Sequence, residues 1–177
     1  MLVRTVATAV CFSALSLGSA GAAEMIESDF QVTFQYGGSE QRLSEDKVPL
    51  LPGSACYTWW MRLAEGPAPQ SVKERLILPE PLADWGDLAV NADDGVEIST
   101  DGTMATSTFA PEFDSDGWLS KGWCTASGDP VGPHKIEVSI DGTLLNTYEF
   151  EVLAPEEYPW PALRQPDPRE RSVQDSW

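Results

Sequence analysis

The sequence predicts an all-β protein, a sandwich or small barrel of roughly seven or eight short strands. Three observations carry this. Apolar and polar residues alternate with a period of two in several short runs, and Gly, Pro and Asp clusters break the chain between them. No stretch sustains the helical period. A length of 177 residues with 42% of them hydrophobic argues for one packed domain and against wholesale disorder.

Residues 1–23 read as an export signal. Arg4 supplies the positive start, residues 6–17 form an apolar run too short to span a bilayer, and small residues from Gly18 to Ala23 close it. Ala20-x-Ala22 or Gly21-x-Ala23 would serve as the cleavage motif. Cys11 is not expected to be acylated, because Val10 stands before it where acylation needs a small residue. No second apolar run of about 20 residues follows, so no transmembrane segment is expected. The protein is expected to be periplasmic or secreted, with a folded domain over residues 24–153.

Within that domain, Phe30, Val32, Phe34 and Tyr36 alternate with polar residues until Gly37-Gly38 stops the strand. Residues 55–63 carry bulk on both faces, with Tyr57, Trp59, Met61 and Leu63 on one and Cys56, Trp60 and Arg62 on the other. That pattern fits a strand largely covered on both sides. Val72, Glu74, Leu76 and Leu78 share a face up to Pro79, after which Pro79-Glu80-Pro81 opens an irregular stretch containing Trp85. Asp101-Gly102 separates two short strands at 96–100 and 103–109, and a turn at 114–117 introduces another at 118–125.

The clearest element is a hairpin of residues 135–140 and 143–152 around Asp141-Gly142, a dipeptide that accepts the positive φ angles of a type I′ turn. A break of phase near Asn146 marks a bulge. Residues 154–177 hold five prolines and no apolar period, and read as a polyproline-like or disordered tail. A sharper reading makes the tail a docking segment, with Tyr158, Trp160 and Leu163 packing on the domain or on a partner.

Composition excludes several functions. With 28 acidic and 11 basic residues the net charge is −17, which disfavours nucleic acid as a partner. Loss of Arg4 with the signal would leave 28 acids against 10 bases, or −18. The same step would leave two cysteines, Cys56 and Cys124. An even pair in an oxidising compartment is expected to form a disulfide.

Cys56 and Cys124 near Trp59, Trp60 and Trp123, together with the last hairpin, give the domain a resemblance to an immunoglobulin-like β-sandwich. The loop 128–133 and the hairpin after it look similar to the closing segment of bacterial immunoglobulin-like modules. The resemblance implies a bridge between the two sheets. Two positions depart from the antibody pattern: the tryptophans follow Cys56 on its own strand, and Gly122 stands where a tyrosine-corner Tyr would be.

Catalysis is not expected. His134 is the single histidine, no Gly-x-Ser-x-Gly elbow or Cys-x-x-Cys occurs, and with 28 acids a pair of carboxylates carries no information about glycoside hydrolysis. No cofactor is implied. Calcium is considered at two clusters, Asn91-x-Asp93-Asp94-Gly95 and Asp114-x-Asp116-Gly117, but neither has EF-hand spacing and turn chemistry accounts for both. The expectation is an acidic, exported β-sandwich that binds a protein partner in the cell envelope, a basic enzyme being the sharper form of the idea. Trp85, Trp118, Tyr158 and Trp160 are the candidate partner-binding residues. The alternative is a carbohydrate-recognising module or minor envelope hydrolase, which requires Trp85 and Trp118 on one exposed face beside paired carboxylates.

Overall fold

The computed structural model describes residues 23–86 and 95–160. Those residues form ten strands in two packed sheets: β1 (Met25–Tyr36), β2 (Ser39–Ser44), β3 (Lys47–Pro49), β4 (Ala55–Leu63), β5 (Val72–Ile77), β6 (Val96–Ile98), β7 (Met104–Phe109), β8 (Trp118–Cys124), β9 (Gly132–Ile140) and β10 (Thr143–Leu153). One sheet runs β2-β1-β4-β8 and the other β3-β10-β9-β5-β7-β6. All pairings are antiparallel except β3 with β10. The architecture is a sandwich and not a barrel, because each sheet ends in its own edge strands. Residues 1–22, most of the expected signal, lie outside the described residues, as does the Asn91–Asp94 part of the first acidic cluster.

The expected hairpin is present. Asp141 and Gly142 both have positive φ, 48° and 82°, as a type I′ turn requires. The register shifts between Leu144 and Asn146, which is the bulge. Two strands were not predicted. β2 is polar, and β3 is three residues long and finds its partner about a hundred positions away in β10, so neither leaves a local signal.

The core lies between the sheets. Val32 and Phe34 of β1, Tyr57, Trp59 and Met61 of β4, Leu76 of β5, Ile136 and Val138 of β9, and Phe150 and Val152 of β10 are all buried. Phe30 stacks on Phe150 with ring centres 4.9 Å apart, and joins the aromatic layer contributed by both sheets.

The cysteines are bridged, but not across the sandwich. Cys56 and Cys124 stand opposite each other on the neighbouring strands β4 and β8, and the bond staples one sheet. Alternation explains the correction: Tyr57 and Trp59 take the core-facing positions of β4, so Cys56 must face outward. What crosses the sandwich instead is a carboxylate. Glu74 of β5 is 0% exposed and accepts hydrogen bonds from the indole N–H of Trp59, at 2.8 Å, and of Trp123. Lys121 of β8 adds a second polar link, donating to the buried Ser107 of β7 at 2.5 Å.

The tail is ordered over its first residues. Tyr158 is 3% exposed, lies edge-on to Phe34 and donates its phenolic hydrogen to Glu45. Trp160 stacks on Tyr36 at 4.7 Å and donates to the Pro155 carbonyl. Of the two readings of this segment, packing on the chain's own domain holds for Tyr158 and Trp160. Tyr158 is therefore withdrawn as a partner contact, because its surface is already spent. Leu163 lies outside the described residues.

Candidate functional site

The sandwich has an open pocket of about 220 Å³ at the end where β5 and β8 finish and β4 and β9 begin. Its base is Tyr57, Leu76 and Trp123, and Trp85 forms one side. The irregular stretch after Pro79 is held against the β6–β7 turn: Leu82 N–H and Trp85 Nε1–H both donate to the Gly102 carbonyl, at 2.9 and 3.3 Å. Asp101 shapes that turn by accepting from Ser99 and Thr103. This pinning is why Trp85 is half-buried and not a free loop aromatic.

Two carboxylates and the lone histidine complete the lining. Asp84 accepts from the Gly86 amide through Oδ1 at 2.8 Å, and Asp129 accepts from the Ala126 amide through Oδ2 at 2.7 Å. These Asx-type contacts fold the two loops and commit one oxygen of each residue. His134 is 4% exposed and packs on Phe150 at 5.3 Å. Its Nδ1–H donates to the Gly132 carbonyl at 2.9 Å, so Nε2 carries the lone pair. Ser127, Asp129 and His134 all line the pocket, yet among the described residues no hydrogen bond joins any two of them.

Negative charge accumulates here. Burial pushes the Asp129 carboxyl above its usual range, only partly offset by the Ala126 amide and His134. Burial, followed by the nearby Asp129 and Glu74 carboxylates, drives the Tyr57 phenol far above its ordinary value. Burial holds the His134 imidazole below its ordinary value and therefore neutral. No Lys or Arg lines the pocket among the described residues.

Trp118 is elsewhere. It lies on the outer face of the four-stranded sheet, edge-on to Trp60 at 6.3 Å, with the Arg62 guanidinium 5.5 Å from its ring centre. Trp118 and Trp85 share no pocket, so the paired aromatic platform expected of a carbohydrate site does not form. Trp160 borders the domain beside Tyr36 and lines neither the Trp85 pocket nor the groove at Trp118. In the second acidic cluster, Asp114 Oδ1 accepts from the amides of Asp116 and Trp118, each at 2.9 Å, the geometry of a turn.

Asp84, Asp129 and His134 escaped the sequence reading as site residues. Asp84 and Asp129 looked like ordinary turn formers, and His134 like the edge of a loop. The signal available was that an irregular stretch with Trp85 and a Gly-Asp-Pro loop both precede core strands.

Two sheets of this order packed face to face, with the loops gathered at the ends, define an immunoglobulin-like β-sandwich. The chain belongs to the PM0630 beta sandwich domain family, whose profile matches residues 28–153. Among solved structures it is similar to an immunoglobulin-like protein (PA1606) from Pseudomonas aeruginosa, at 10% identity and TM-score 0.48, over 77% of this chain and 100% of that one. It is also similar to Pseudomonas fluorescens alkylpurine DNA glycosylase AlkC bound to DNA containing an abasic site analog, at 11% identity and TM-score 0.36, over 74% of this chain and 30% of that one. No curated protein matches the chain.

Proposed function

We propose that this protein is an exported, non-catalytic β-sandwich that binds a cationic protein partner in the cell envelope. The observation that carries the reading is the end pocket, where Asp84 and Asp129 join an aromatic lining and no Lys or Arg contributes among the described residues. A net charge of −17 supports it by steering cationic partners toward the whole surface. Export is supported by the composition of residues 1–23 and by the Cys56–Cys124 bond. A binding role over a catalytic one is supported by His134, whose Nδ1–H is spent on the Gly132 carbonyl and not on Asp129 as a serine-type relay needs.

The test is capture of partners from the envelope extract of the source cells, at low and at moderate salt. A partner with a basic surface should be retained at low salt and lost as salt rises. Absent capture, or capture indifferent to salt, would remove the reading. Intact mass of the exported chain checks the signal, with cleavage expected after Ala22 or Ala23.

A further inference from the structure

We infer that the end pocket is a socket for a single alkylammonium group, filled by one lysine side chain of the protein partner. This rests on the partner-binding reading above and specifies the chemistry of the same site.

The indole and imidazole N–H donors are committed, and the Tyr57 and Ser127 hydroxyls can each donate or accept. Trp85 Nε1–H goes to Gly102, Trp123 Nε1–H to Glu74, and His134 Nδ1–H to Gly132. What remains is rich in acceptors. Asp84 and Asp129 each keep one carboxylate oxygen, since only Oδ1 of the first and Oδ2 of the second are used. His134 Nε2 and the Tyr57 hydroxyl have no hydrogen-bond partner among the described residues, although both side chains are more than nine-tenths buried and line the cavity. Buried polar groups of this kind are normally satisfied. A ligand that satisfies an imidazole lone pair, a phenolic oxygen and two carboxylates must bring several donors and a positive charge.

Shape narrows the class. At about 220 Å³ the pocket lies below the roughly 300–1,000 Å³ of sites that enclose a drug-sized molecule, so it suits one side chain. The acceptors come from four separate segments: β4, the loop before Gly86, the turn at 126–129, and β9. Acceptors drawn from four segments, and not from one planar edge, favour a compact three-donor ammonium over the planar fork of a guanidinium. Trp85, Tyr57 and Trp123 supply aromatic surface for the alkyl stem and for cation–π attraction.

The probe is Nα-acetyl-lysine N-methylamide, titrated into the ¹⁵N-labelled protein while the indole signals of Trp85 and Trp123 are followed. Nα-acetyl-norleucine N-methylamide serves as the neutral control. The lysine amide should shift both indoles saturably, the norleucine amide should not, and a D84N/D129N double variant should weaken binding by about tenfold or more. Asn keeps the carbonyl oxygen that each loop amide needs, so the double variant is expected to fold, and its remaining amide spectrum verifies that. Equal shifts from the norleucine amide would mean an apolar cleft only, and no shift from the lysine amide would mean no ammonium site. Either result overturns the inference. A guanidinium analogue that binds more tightly than the lysine amide overturns the choice of lysine. Repeating the envelope capture with D84N/D129N separates the two levels. Retention equal to wild type overturns the socket while leaving partner binding intact. Saturable lysine-amide binding with no captured partner supports the socket and removes the partner-binding reading.

Discussion

Glu74 should be the most informative position for stability. It is fully buried between the sheets, and its carboxylate satisfies two indole donors from β4 and β8. In Glu74→Ala, Trp59 Nε1 keeps no acceptor at a site with no access to water, at a cost of about 1–3 kcal/mol, while the half-buried Trp123 can recover part of its loss from solvent. Lys121 also loses its nearest opposing charge. Offset by the carboxylate no longer being desolvated, a net destabilisation on the order of 3 kcal/mol is expected. Glu74→Gln keeps one carbonyl acceptor and should cost about 1–2 kcal/mol at neutral pH.

The pH dependence gives a second, independent reading. Burial raises the folded-state Glu74 carboxyl above its ordinary value of 4.5, outweighing the pull of Lys121 and of the two indoles. Between the unfolded and folded values the native state therefore holds a proton that the unfolded chain does not, and stability falls as pH rises through that window. Wild type should gain on Glu74→Gln as pH drops from neutral toward 4.5. His134, held below its ordinary value, pushes the other way but is present in both chains and cancels. Urea unfolding followed by tryptophan fluorescence, at pH 7 and pH 5, measures both effects. A Glu74→Ala change within about 0.5 kcal/mol of wild type would refute the buried-acceptor reasoning, because that is the range of ordinary surface substitutions.

Three further outcomes can be checked by the same unfolding assay. Cys56→Ala/Cys124→Ala, which opens a loop with a sequence separation of 68, should cost about 4 kcal/mol in the chain-entropy model, and free-thiol counting before and after reduction should find two thiols appear on the mature chain. Gly122→Ala places a Cβ 2.6 Å from Thr58 Oγ1 and 3.2 Å from the Tyr57 carbonyl, so a loss of about 1–3 kcal/mol is expected, partly recovered by adding Thr58→Ala. Tyr158→Ala opens the packing over Phe34 and should cost about 3 kcal/mol, whereas Tyr158→Phe removes only the hydrogen bond to Glu45 and should cost about 1 kcal/mol.

The β9–β10 hairpin and its bulge were legible because their determinants are local: an Asp-Gly pair, alternation on both sides, and a phase break at Asn146. β4 was legible with its bounds for a similar reason, since a nine-residue run rich in aromatic and long side chains lies between Gly53-Ser54 and Gly66-Pro67. The bridge partners were legible too, by parity and compartment, but not their placement. Which face Cys56 takes is decided by competition with Tyr57 and Trp59 for the core, and a strand's phase relative to the core is a tertiary fact. Glu74 left a visible mark, an acid in register with Val72 and Leu76. What it answers to, Trp59 and Trp123, lies 15 and 49 residues away on other strands.

The same competition for the core leaves the open pocket at one end of the sandwich and not on a sheet face. The outer face of the four-stranded sheet spends its aromatics on itself, with Trp60, Trp118 and Arg62 packed together. At the end of the sandwich, by contrast, the strands stop and the loops must fold over the last core residues, using Asp84, Asp101 and Asp129 to satisfy their own amides. The turns at Asp84 and Asp129 each bring an acid to the rim, and the buried Glu74 accepts from the Trp123 indole. The fold supplies a rigid aromatic base, and ordinary turn chemistry supplies unpaired acceptors above it. An ammonium partner would relieve both the desolvated Asp129 and the unbonded Tyr57 and His134. Binding there should therefore stabilise the folded chain as well as the complex.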